Sequence, residues 1–182
     1  MKRRCLTAIL ALTVLSSSCF QAKQMGELNK VSTIDPTRFM GDWYVVANIP
    51  TFIEKGAVNA IETYSLREDG DVDIRFTFRK GTPTGELKTY TAKGFVVDRS
   101  TFSEWRVQFF WPIKFPYYVL DLDQEYTYTV VGTSNRSYAW IMTREPNPPD
   151  SLIQHLISKL EKAGFDPFKI QRVPQTWTKD IQ

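Results

Sequence analysis

Over residues 72–79 apolar and polar side chains alternate one for one. Val72, Ile74, Phe76 and Phe78 fall on one side, and Asp73, Arg75, Thr77 and Arg79 on the other. Successive side chains of a strand point to opposite faces, so this pattern predicts a strand with one buried and one wet face. Trp105, Val107, Phe109 and Trp111 alternate in the same way with Glu104, Arg106 and Gln108. Strands with one wet face belong to antiparallel sheets. Such sheets hide their apolar faces either by stacking as a sandwich or by closing as a barrel.

Six further segments read as strands: residues 43–49, 58–66, 87–97, 117–121, 125–132 and 137–144. Turn chemistry separates them. Asp69-Gly70 is a hairpin signal, and Gly81 to Gly85, Asp98-Arg99-Ser100 and Ser134-Asn135 are further turns. The long joint over 50–57 carries Phe52 and Ile53 on a loop, expected at the mouth of the fold. Eight strands in succession close naturally on themselves. Pro148-Pro149 stop the last of them, and Leu152, Ile153, Leu156, Ile157, Leu160 and Ala163 then recur at helical spacing. Asp150 or Ser151 is expected to cap that helix and Gly164 to end it. A last short strand is expected within 168–173. The expected fold is therefore all-β: an eight-stranded antiparallel up-and-down β-barrel with one C-terminal α-helix packed outside.

The first 18 residues read as a signal peptide. Lys2, Arg3 and Arg4 precede an uncharged apolar run over 6–15, and Ser16, Ser17 and Ser18 lead to Cys19. The run is too short to span a bilayer, which takes about 20 residues. The expected division is 1–18 signal peptide, 19–30 lipidated tether, 31–177 barrel domain and 178–182 tail. Cys5 would leave with the signal, so Cys19 has no intrachain disulfide partner. A lone Cys at a cleavage point resembles the lipobox of bacterial lipoproteins, although Ser16 stands where that motif usually has Leu. The resemblance implies a lipid anchor on Cys19. The net charge of +3 resides in the three basic residues of the signal, so the remainder is neutral. A neutral domain lacks the electrostatic footprint of a nucleic-acid binder.

Gly41-Asp42-Trp43-Tyr44 resembles the Gly-x-Trp signature that opens a lipocalin barrel. A second block, Tyr118 to Asp123 through Tyr126-Thr127-Tyr128, and a third, Trp140-Ile141-Met142-Thr143-Arg144, follow in the lipocalin order. The match extends over residues 31–177. Tyr64-Ser65-Leu66-Arg67 and Val107-Gln108-Phe109-Phe110 resemble the outer-membrane lipoprotein lipocalins of the Blc type, relatives of apolipoprotein D. The resemblance implies that Gly41, Trp43 and Arg144 close one end, with Arg144 over the Trp43 ring. It implies that Asp121 and Asp123 satisfy turn amides beside that end. Phe20 after Cys19, where Asp would hold a lipoprotein at the inner membrane, implies the outer membrane, periplasm-facing.

The resemblance also implies a cavity. Its expected lining is Val45, Ala47, Val72, Ile74, Phe76, Phe78, Trp105, Val107 and Phe109, with Tyr138, Trp140 and Met142. A narrow apolar cup fits one acyl chain, so the expected partners are a fatty acid or lysophospholipid and, through the anchor, a membrane. Arg75, Arg79 and Arg106 lie on the opposite alternation and are expected to face solvent. Tyr117, Tyr118 and Lys114 are expected near the open end. No cofactor or metal site is expected, and no catalytic constellation is evident, with His155 the single histidine. Rival readings are a haem or tetrapyrrole carrier and a surface lipoprotein without ligand. A homodimer is compatible with the sequence, which sets no oligomeric state.

Overall fold

The computed structural model describes residues 26–177. The expected signal, Cys19, the first part of the tether and the tail lie outside the described residues. A short helix, α1 (Pro36–Phe39), leads into β1 (Gly41–Ile49), β2 (Ala57–Leu66), β3 (Val72–Lys80) and β4 (Leu87–Val96). Then follow β5 (Glu104–Phe110), β6 (Ile113–Leu122), β7 (Tyr128–Gly132) and β8 (Ala139–Thr143). Each strand pairs antiparallel with the next, and β1 closes the circle by pairing with both β8 and β2. The eight expected strands are all present. α2 (Asp150–Lys162) and a two-residue β9 (Gln171–Arg172) lie outside the barrel.

Three boundaries differ from expectation by three residues or more. β6 begins at Ile113 instead of 117, because Pro116 sits within the β5 ladder opposite Arg106 and does not end it. β7 begins at Tyr128 because Asp123 holds the preceding residues as a turn, accepting from the amides of Thr127 (2.6 Å) and Tyr128 (2.9 Å). Residues 167–169 form a 3-10 turn, which leaves only Gln171–Arg172 as strand.

α2 buries Ile153, Leu156 and Leu160 against Val46, Ala47 and Ile49 of β1, Val130 of β7, and Ala139 and Ile141 of β8. Such a one-sided helix is stable only against a partner surface, which the outer faces of these strands provide. The expected cap is corrected. Pro149 is the N-cap, and no side chain caps the helix. Asp150 already lies in the first turn, and its carboxylate pairs with Arg172. Asp121 has a second role: its Oδ1 accepts the Leu122 amide (3.1 Å), and its Oδ2 pairs with Lys159 of α2 and so ties helix to barrel, whereas Asp123 serves turn amides. At the other end of α2, Gly164 takes φ +90°, as a left-handed C-terminal stop requires.

β1 is not regular. Its register with β8 shifts between Val45 and Ala47, so two consecutive residues, Val46 and Ala47, both pack outward under α2. Beyond the bulge the inward side chain is Asn48, whose Nδ2 donates to Glu54 at 3.4 Å. β2 pairs with β1 only along Gly41–Tyr44, and the two then part. The C-terminal segment fills the gap. The Val173 amide donates to the Val46 carbonyl (3.0 Å), and the Asn59 amide donates to Pro174 (2.8 Å). Gln175 Nε2 bridges both strands, donating to the carbonyls of Val45 (2.8 Å) and Ala60 (3.0 Å).

The end near α1 is closed. Trp43 is fully buried, and its Nε1 donates to the Phe39 carbonyl at 2.8 Å. The Arg144 guanidinium lies 3.7 Å from the Trp43 ring centroid. It also donates to the carbonyls of Asp42 (2.7 Å), Arg38 (2.8 Å), Met40 (2.8 Å) and Phe39 (3.2 Å). Gly41 passes beneath it at φ +91°. A side chain on that residue would strain the backbone and set its Cβ 3.5 Å from Arg144 Nη1. Trp43→Ala is expected to cost roughly 3–5 kcal/mol, as for a buried large aromatic. Arg144→Ala is expected to cost less, about 1–3 kcal/mol, and the double variant to show coupling. Urea titrations of the four proteins measure this. A wild-type midpoint for Trp43→Ala would contradict the position described.

Candidate ligand cavity

The barrel interior has two halves. Near α1, Phe39, Trp43, Tyr64, Phe102 and Trp105 fill it as an aromatic plug. Trp105 meets Phe39, Tyr64 and Phe102 edge-on, and stacks on Tyr117 at 4.8 Å between centroids. Towards the other end, the side chains stand back from the axis and leave a cavity of about 340 Å³. That is within the roughly 300–1,000 Å³ of small-molecule sites. The 50–57 loop and the β5–β6 hairpin stand at the mouth, contributing Phe52, Ile53, Phe110 and Ile113. Phe52 is 78 % exposed.

The structure divides the expected lining residues by depth. Ile74, Phe76, Val107, Phe109, Tyr138 and Trp140 are on the cavity surface. Val45, Val72, Phe78, Trp105 and Met142 are buried in the interior core, below or behind it. Ala47 is a correction: the bulge turns it outward beneath α2. Of the three residues expected near the open end, Lys114 lies on the β5–β6 hairpin at the mouth, whereas Tyr117 and Tyr118 are corrected. Tyr117 is buried at the cavity floor, stacked on Trp105. Tyr118 packs on the outer face, with Lys30 Nζ 5.1 Å from its ring centroid. Lys114 lies 3.5 Å from the Phe95 ring centroid and is exposed. Arg75 is exposed and Arg79 and Arg106 are half-buried, all three off the cavity surface. His155 is exposed on α2.

Two carboxyl groups reach the cavity, and sequence reasoning missed both. Glu54, on the mouth loop, accepts from Thr51 N (2.7 Å), Trp140 Nε1 (2.6 Å) and Asn48 Nδ2 (3.4 Å). These bonds pin the loop to β1 and β8. Glu62, on β2, is 8 % exposed. The Tyr64 hydroxyl donates to its Oε2, and the Tyr64 and Tyr117 hydroxyls are 2.7 Å apart. The signal for Glu62 was present. Ala60, Glu62 and Tyr64 share one alternation of β2, and Tyr64 carries the resemblance to the family, so its face points inward.

Burial pushes the Glu62 carboxyl up to about 7, against the Tyr64 hydrogen bond, which lowers it, and with help from the Glu54 charge. Burial also drives the Tyr64 and Tyr117 hydroxyls well above the usual phenol value. A carboxyl raised on folding favours the native state when protonated. Its contribution is full below the unfolded value of 4.5 and is lost as pH rises from there through about 7. The difference corresponds to about 3 kcal/mol. Glu62→Gln is therefore expected to flatten the pH dependence of stability between pH 5 and 8 and to be the more stable protein at pH 8. Urea midpoints across that range test this. A wild-type pH profile in the variant would show that Glu62 is solvated.

Among known proteins, the lipocalin-like domain matches residues 34–175 of this chain. The outer membrane lipoprotein Blc of Citrobacter freundii is 32 % identical over 177 residues, 94 % of this chain and 98 % of that protein. The protein of the same name from Escherichia coli K12 is 29 % identical over 172 residues, 93 % of this chain and 96 % of its own. In fold, lobster apocrustacyanin A1 superposes with a TM-score of 0.62 at 13 % identity, over 86 % of this chain and 94 % of that one. The antiparallel barrel and its outer helix agree with these matches: the chain belongs to the lipocalin family and resembles its Blc-type bacterial lipoproteins.

Proposed function

We propose that this protein is a membrane-anchored carrier or store of single-chain lipids, held at the outer membrane by a lipid on Cys19 with its barrel in the periplasm. The observation that carries the reading is the cavity, whose surface is formed mainly by Phe, Trp, Tyr, Ile and Val side chains. Each methylene taken from water into such a surface is worth about 0.8 kcal/mol. A chain burying about ten gains roughly 8 kcal/mol gross, before the cost of association is subtracted. Room for one chain argues for fatty acids or lysophospholipids over diacyl lipids. Tail-first entry suits them, because among the described residues no Lys, Arg or His lies on the cavity surface to neutralise a buried anionic group. The anchor and address are supported by the segment before Cys19, by Phe20, and by relatives named outer membrane lipoproteins.

Binding is tested by titrating a fluorescent acyl probe and displacing it with lysophospholipid. Phe76 faces Glu62 across the β2–β3 ladder, so Phe76→Asp sets a second carboxyl beside the first in a site that solvates neither. That variant, and Val107→Asp, are expected to lose binding while circular dichroism still reports a folded barrel. Arg75→Asp, on the exposed face of β3, is expected to bind normally. Folded wild type without displaceable binding would overturn the carrier reading. Separately, Cys19→Ser is expected to move the protein from the outer-membrane to the soluble fraction. Retention on the membrane at wild-type levels would remove the lipid anchor.

A further inference from the structure

Among the described residues, the charged ones on the cavity surface are Glu54 and Glu62 alone. They are not equivalent. Glu54 is committed to the loop, with both oxygens accepting hydrogen bonds from Thr51, Trp140 and Asn48. Glu62 receives one hydrogen bond among the described residues, from Tyr64 to Oε2. Its Oε1 has no donor among the described residues and is not sealed into the wall. So a carboxyl group that is nine-tenths buried presents a vacant acceptor to the inner part of an otherwise apolar cup. Its cross-strand neighbours are Trp43 on β1 and Phe76 on β3, and neither offers it a charge.

We propose that the inner end of the cavity is a subsite for a protonated amine carried on an otherwise apolar single-chain molecule, with Glu62 as counter-ion. An ammonium supplies the donor that Oε1 lacks and neutralises the charge at the same moment. A carboxylate or phosphate there would add a second anion with no cation to meet it. Two rings of the cavity surface stand beside Glu62, Phe76 across the β2–β3 ladder and Tyr117 through the Tyr64 hydroxyl, and their π surfaces also favour a cation. The Tyr64–Tyr117 hydroxyl pair fixes the carboxyl from below and stays protonated, so the subsite holds one negative charge when Glu62 ionises. This inference rests on the cup being a ligand cavity, and it selects among single-chain amphiphiles by the charge of the end that enters.

The sign of the pH effect follows. Glu62 titrates near 7 in the empty barrel, with Glu54, Tyr64 and Tyr117 as the titratable groups around it. An ammonium binds the ionised form, so its affinity is full above 7 and falls by about tenfold for each pH unit below it. An anionic ligand has the opposite dependence.

The test uses the Cys19→Ser protein, freed of co-purified lipid, titrated with dodecylamine, dodecanol and dodecanoate and read by calorimetry. Wild-type Glu62 is expected to bind dodecylamine at least tenfold more tightly than dodecanoate at pH 8. Amine affinity is expected to fall about tenfold between pH 8 and 6. In Glu62→Gln, checked for folding by circular dichroism, the amine-to-acid preference is expected to drop at least tenfold. If dodecanol binds but the amine holds no preference, keeps it in Glu62→Gln, or shows no pH dependence, the amine subsite is overturned and the carrier reading stands. If none of the three binds, the carrier reading falls and the subsite with it.

Discussion

A strand that closes a barrel must satisfy hydrogen-bonding groups along both of its edges, since an open edge exposes a row of unpaired N–H and C=O groups. β1 meets this demand in three pieces. β8 covers one edge along Tyr44–Ile49, β2 covers the other only along Gly41–Tyr44, and the C-terminal segment supplies the remainder. The bulge at Val46 and Ala47 is where the pieces join. It bends β1 away from β2, and this parting gives the 50–57 loop room to stand at the mouth. The same bulge presents two adjacent apolar side chains to α2, which explains why the helix seats there. Gln175 then makes the wedge obligatory, for its amide bridges the Val45 and Ala60 carbonyls across the gap.

The opposite end follows another rule. The turn from α1 into β1 directs the carbonyls of Arg38, Phe39, Met40 and Asp42 at one point, and Arg144 answers them with a single guanidinium. Because that group also covers Trp43, one side chain serves both the backbone turn and the aromatic plug. The plug rests on this seal and sets the depth of the cavity. Above Trp105 and Tyr117 the interior is hollow; below them it is packed. Ligand chemistry is thereby confined to the upper half, and the hydroxyl pair of Tyr64 and Tyr117 marks the boundary.

Glu62 sits just above that boundary. An ionised carboxyl in such a place is costly to fold around, yet folding keeps it with a single hydrogen-bonded partner among the described residues. An alanine or valine there would have completed the apolar surface. A group that weakens the fold at neutral pH while aiming an acceptor into a cavity is the pattern expected of ligand recognition.

Much of this was legible in the residues themselves. The alternation over 72–79 and 104–111 specified two-faced strands, the spaced turn signals specified their number and succession, and Pro148-Pro149 with the apolar helical stripe specified one outer helix. Trp43, Gly41 and Arg144 were marked by their resemblance to the family. These features are local, or lie in short blocks, so a sequence displays them directly. Ala47 was misplaced because a bulge changes the phase of alternation, and it forms where strand, helix and C-terminal segment compete for one edge. Val72 and Trp105 are inward positions by their alternation, but whether such a side chain meets ligand or plug depends on its height along the barrel, and Phe78, nearer the mouth than Phe76, is instead packed against Phe76 and Tyr90. Height is set by strand register and by α1, which nothing in the pattern of two reveals. Glu62 was visible as an inward position between Ala60 and Tyr64. Only the closed barrel decided that it stands at the floor of a cavity, because only closure brings Tyr117 across to Tyr64 and leaves one carboxyl oxygen open.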